Sequence, residues 1–136
     1  MNTLSDDDAA LLDELLTGPD RMSAEAALTS LVDSRAETLG SAAAFADWAA
    51  AVVDRIGADT FVARRVREWT LFKTLAEGGP VDILALTAAS NWLQRKVVDE
   101  SGSAAALTVL GQAGRTKKLR NEAKTRAGRL QPPPRP

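Results

Sequence analysis

The chain has 136 residues, 45% hydrophobic and 26% charged, with a net charge of −1, the make-up of one ordinary globular domain. It contains neither Cys nor His, which excludes disulfides, thiol nucleophiles, sulfur-built zinc cages and imidazole acid–base chemistry. No apolar stretch approaches the roughly 18 residues needed to span a bilayer, and the acidic start "MNTLSDDDAALL" lacks the layout of a secretion signal. A cytoplasmic protein with no membrane partner is the expectation.

Helix punctuation recurs along the whole chain, and strand signals are missing. Ser5 precedes "DDDAALLDELL", whose acids suit the positive end of a helix dipole, and Gly18-Pro19 stops that helix. Leu11, Leu12, Leu15 and Leu16 give it one apolar face. Ser23 caps a second helix carrying Leu28, Leu31, Val32 and Leu39, ended by Gly40. Ser41 caps a third, in which Phe45, Trp48, Val52 and Ile56 fall at spacings of three and four before Gly57. Asp59 or Thr60 opens "FVARRVREWTLFKTLAE", which closes at Gly78-Gly79 and has a wide apolar set from Phe61 to Ala76.

Pro80 suits the first turn of a fifth helix, "PVDILALTAA". Ser90 caps a sixth, "NWLQRKVVDE", and Ser103 a seventh, "AAALTVLGQA", ended by Gly114. Thr116 opens the eighth, "KKLRNEAKTRAGRL", with a narrow stripe of Leu119, Ala123, Ala127 and Leu130. "QPPPRP" cannot continue a helix and reads as an extended tail. The expected fold is all-α, with about eight short helices in antiparallel pairs because their connections are short. One domain over 1–130 is expected: an acidic helical pair over 1–40, further pairs over 41–130, and a Pro-rich tail over 131–136.

Charge is strongly polarised. Up to Gly40 nine acids face two bases, and from Gln112 on eight bases face Glu122 alone. Such asymmetry marks an anionic partner or contact between opposite ends, either within one chain or as head-to-tail self-association between chains.

The starts of the fourth, sixth and eighth helices share a pattern: "DTFVARRV" (59–66), "SNWLQRKV" (90–97) and "TKKLRNEA" (116–123). Each has a capping residue, Val or Leu at the fourth position, and Val or Ala at the eighth. Here the chain, over about 42–130, resembles the HEAT and armadillo class of α-helical repeats, whose capped second helix commonly begins with an acid or hydroxyl residue and "xxVRxxA". "TKKLRNEA" matches best, with Leu119, Arg120 and Ala123 in place; Gln94 and Ala63 stand where the other two would carry Arg. The separations of 31 and 26 residues are shorter than the family's usual period of about 40. The resemblance implies a right-handed stack of helical pairs with the first two helices as a cap. An irregular helical bundle is the alternative.

In such a stack the second helices line one face. Arg64, Arg65, Arg67, Arg95 and Lys96 would then join Lys117, Lys118, Arg120 and Lys124 in a basic groove, with half-exposed Trp92 at its rim as a binding hot spot. Trp48 and Trp69 sit at core spacing. The function expected is a non-enzymatic adaptor that binds a protein with an acidic surface. The alternative is a nucleic-acid-backbone binder using the same bases, although no aromatic residue interleaves with them for base stacking. A third reading, an enzyme with Asp82 or Asp99 as catalytic carboxylate, needs a cleft that spacing does not supply. No cofactor or metal is expected: adjacent carboxylates such as Asp6, Asp7 and Asp8 diverge on a helix, and "GQAGRTKK" has the wrong order for a phosphate loop.

Overall fold

The computed structural model describes residues 4–130; the Pro-rich tail lies outside them. Eight helices occur among the described residues, and no strand: α1 (Asp6–Thr17), α2 (Arg21–Thr38), α3 (Ala42–Ile56), α4 (Phe61–Ala76), α5 (Ile83–Ala88), α6 (Asn91–Glu100), α7 (Ala104–Ala113) and α8 (Lys117–Leu130). None is long and apolar enough to cross a membrane.

Hydroxyl and carboxylate caps start these helices, each accepting a hydrogen bond from an amide three residues on. Ser5, Ser41, Ser90 and Ser103 serve α1, α3, α6 and α7, as their sequence positions suggest. Thr60 and Thr116 do the same for α4 and α8 through the amides of Ala63 and Leu119. Two starts differ from expectation. Helix α2 begins earlier because Asp20 is its cap, and Ser23 donates both its amide and its hydroxyl hydrogen to that carboxylate. Helix α5 begins later because Asp82 is its cap, which leaves Pro80 outside the helix. Helix α4 ends in a Schellman turn: Gly78 takes φ +78°, its amide donates to the Leu75 carbonyl, and the Gly79 amide donates to that of Thr74. A side chain at Gly78 would be strained there.

The chain forms two compact units that divide between Thr70 and Leu71, within α4. In the first unit α1 packs on α2 and α2 on α3. Leu12, Val32, Phe45, Trp48, Val52, Ala63 and Trp69 are buried. The Phe45 and Trp48 rings lie 6.0 Å apart in a tilted pair. Leu11 and Leu16, read as part of one apolar face, stay exposed, and so does Phe61.

In the second unit one apolar cluster joins Leu75, Leu86, Leu93, Val97, Leu107, Leu110 and Leu119. Helix α7 packs most extensively on α8; α5 also meets α7, and α6 meets both α7 and α8. The turn from α7 to α8 is tight. A Cβ on Gly114 would lie 2.5 Å from Leu119 Cδ2 and 2.7 Å from the Leu110 carbonyl oxygen, so only glycine fits. Along α8, Leu119, Ala123 and Ala127 face inward as their spacing predicts, whereas Leu130 is 42% exposed.

Candidate functional site

The sites that could do chemistry or binding are best found by asking which charged groups the fold consumes. In the first unit the same arrangement appears twice. The Asp8 carboxylate, 4% exposed, accepts from Arg35 Nε at 2.9 Å, Arg35 Nη2 at 2.7 Å and the Trp48 indole at 3.1 Å. Asp33 accepts from Arg65 Nε and Nη2, both at 2.9 Å, and from the Trp69 indole at 2.7 Å. Each carboxylate takes a planar guanidinium fork and an N–H from a buried ring, so both donors are satisfied as the aromatics are buried. The first set ties α1 to α2 and α3; the second ties α2 to α4. Arg55 and Asp13 add an exposed link between α3 and α1 at 2.6 Å. The Arg35 guanidinium holds the Asp8 carboxyl below its ordinary value; burial opposes this and the Trp48 indole adds to it.

In the second unit Gln94 and three arginines donate to backbone carbonyls. Gln94 has no exposed surface, and its amide nitrogen donates to the Leu86 carbonyl at 2.9 Å and to that of Thr87 at 3.3 Å. Its carbonyl oxygen accepts from the Arg115 amide at 2.9 Å, so this one side chain ties the α5–α6 turn to the α7–α8 turn. The Arg115 guanidinium donates to the carbonyls of Ala88 and Ala89, and Arg126 to those of Val98 and Ser101. Arg120 donates to Gly114 at 2.8 Å. These cations neutralise the carbonyl ends of helices.

The fifth position of the repeat pattern does equivalent work in two helices. Gln94 on α6 reaches back to the last turn of α5, and Arg120 on α8 reaches back to the end of α7. Ala63, at that position on α4, has no side-chain group to do so.

Subtracting these groups leaves the outer face of α8. Lys117, Lys118, Lys124 and Arg129 are exposed, with Asn121, Thr125 and Gly128 between them and no acid. Among the described residues none of these four cations forms an ion pair. Their helix carries one acid, Glu122, and that is turned aside to Arg95. At the start of α8, Thr116 and Leu119 meet Asn91, Trp92 and Arg95 around a hollow of about 350 Å³. The first turns of α6 and α8 both border it.

The residues singled out in sequence therefore divide. Trp92 is half-buried and shares the hollow with Arg95, while Lys117, Lys118 and Lys124 share the outer face of α8. Arg95 is engaged by Glu122 and Asp99, and the Glu122 carboxylate raises its proton affinity. Lys96 meets Glu100 at 2.7 Å and lies 4.8 Å over the Phe72 ring. Arg120 is spent on Gly114. In the first unit Arg65 is locked to Asp33, Arg64 approaches Glu68 at 3.7 Å, and Arg67 donates to the Ala58 carbonyl. Asp82 is a helix cap and Asp99 an exposed partner of Arg95, so each has a structural task. Asp6 and Asp7 point outward while Asp8 turns inward. Among the described residues no three carboxylates gather to hold a cation.

Sequence reasoning assigned no anchoring role to Asp8, Asp33, Gln94, Arg115 or Arg126. One usable signal existed: Arg65 and Trp69 stand four apart on one helix, so both point at one acceptor. No protein-family model matches this chain, and no curated protein or solved structure gives a significant match.

Proposed function

We propose that this protein is a non-enzymatic interaction module of helical-repeat type that docks an acidic protein segment along the outer face of α8. One observation carries the reading: four exposed cations share that face with no acid, while the neighbouring arginines are consumed by carbonyls and carboxylates. The hollow beside Trp92 adds an apolar and aromatic anchor at the start of the same helix, the type of residue on which interface energy concentrates. The positive ends of the α6 and α8 dipoles face an incoming carboxylate there. Helical-repeat character is supported by alternate-helix links within each unit, α1 to α3 and α2 to α4, then α5 to α7 and α6 to α8. The shared use of Gln94 and Arg120 supports it too.

An acidic protein is preferred over nucleic acid because no aromatic ring lies among the four cations to stack a base. The test is fluorescence anisotropy with a labelled polyglutamate peptide and, separately, labelled duplex and single-stranded oligonucleotides. Peptide binding that is lost in Lys117→Glu with Lys124→Glu, and weakened in Trp92→Ala, is expected. Binding of oligonucleotide but not peptide, with a log–log salt slope near about −3.6 for four phosphate contacts, would make this a backbone binder instead.

A further inference from the structure

The two units carry opposite charge: residues 1–70 hold thirteen acids and six bases, and residues 71–136 hold eleven bases and five acids. The outer face of α1 is the negative counterpart of that of α8. Asp6, Asp7 and Glu14 are exposed on it, and Asp13, although paired with Arg55, keeps a side chain 70% exposed. No base lies on α1.

The two faces also share a layout. On α1 the pairs Asp6–Asp7 and Asp13–Glu14 stand seven residues apart, with small, exposed Ala10 and Thr17 in the central row. On α8, Lys117–Lys118 and Lys124 stand seven apart, with exposed Asn121 and Gly128 in the central row. Seven residues are two helical turns, about 10.5 Å, so the charges of one face fall opposite those of the other. Ala10 and Gly128 leave room for the helix axes to approach.

Resting on the reading of α8 as a docking face, we propose that its occupant is the outer face of α1 from a second copy of this chain, so that the protein associates head to tail. The two surfaces differ, so the contact is heterologous and each bound copy offers a further free face. The association is weak and salt-sensitive, because exposed ion pairs each contribute little and are screened.

Sedimentation equilibrium on the full chain tests this. At low salt the mass should climb from 14.4 kDa as protein is raised from roughly 20 µM to roughly 1 mM, and return towards 14.4 kDa in about 0.5 M salt. Asp7→Ala with Glu14→Ala removes one face, and Lys117→Ala with Lys124→Ala removes the other. Each variant alone should stay monomeric, and an equimolar mixture should form a complex that stops at two chains, because only one intact face of each remains. A wild type that stays at 14.4 kDa throughout, or a mixture no heavier than its components, overturns the proposal. If polyglutamate still binds α8 in that case, the docking face stands and only its occupant is wrong. If polyglutamate fails and wild-type association survives the α8 substitutions, both readings fall.

Discussion

The two units anchor their helices with different principal acceptors. The first ends two arginines and two indoles on carboxylates: Asp8 with Arg35 and Trp48, Asp33 with Arg65 and Trp69. The second ends Gln94, Arg115, Arg120 and Arg126 on backbone carbonyls. A carboxylate can be protonated and a carbonyl in this range cannot. The nearly buried carboxylate of Asp8 makes the first unit the more acid-sensitive, since the carboxylate pairs of the second, such as Arg95 with Glu122, are more exposed; both units satisfy the same demand that buried donors find acceptors.

Asp8→Ala should have the largest effect. It strands the Arg35 guanidinium and the Trp48 indole together, and with Arg35 a third exposed the loss should be about 3 kcal/mol. Urea unfolding of the first unit, followed by Trp48 and Trp69 fluorescence in a Trp92→Phe background, measures it. The acid profile sharpens the same point. The folded carboxyl of Asp8 lies below its ordinary 3.8, so its stabilisation is complete above that value and is lost as pH falls through the folded one. Amide signals of the first unit should therefore collapse at a higher pH than those of the second, and Asp8→Ala should flatten that dependence.

Gln94→Leu attacks the other half. It leaves the Arg115 amide without its acceptor, and the Leu86 carbonyl with only the Ala89 amide at 3.3 Å, and should cost the second unit about 2 kcal/mol, with no change in acid sensitivity. Arg115→Met removes only partly exposed bonds to Ala88 and Ala89, and a loss of about 1 kcal/mol by thermal melt is expected. Smallest of all, Lys117→Glu with Lys124→Glu should move the melting curve by less than about 0.5 kcal/mol while abolishing polyglutamate binding, because both side chains are exposed and form no ion pair among the described residues.

Much of the architecture was legible because it is written in local rules. Hydroxyl caps at Ser5, Ser41, Ser90, Ser103 and Thr116 and stops at Gly18-Pro19 and Gly114 act within one helical turn, so reading along the chain finds them. The starts at Asp20 and Asp82 were misplaced because several good caps stood close together, and local rules do not rank them. In the candidate site the outward bases Lys117, Lys118 and Lys124 were legible from charge alone. That Arg120 and Arg126 leave the same helix for Gly114, Val98 and Ser101 was not.

By itself the sequence determined an all-α chain, the eight helices of its described residues and a split of acid from base between the two ends, because propensity, capping and net charge are sums over neighbouring residues. Tertiary structure alone decided where the compact units divide, that Asp8 and Asp33 are anchors rather than surface acids, and which of the seven described cations from Arg115 to Arg129 the fold engages. Those outcomes turn on pairs of residues that stand 25 to 40 apart in the chain, such as Arg126 with Ser101 and Asp8 with Trp48. A carboxylate becomes an anchor only when folding brings a guanidinium and an indole to it.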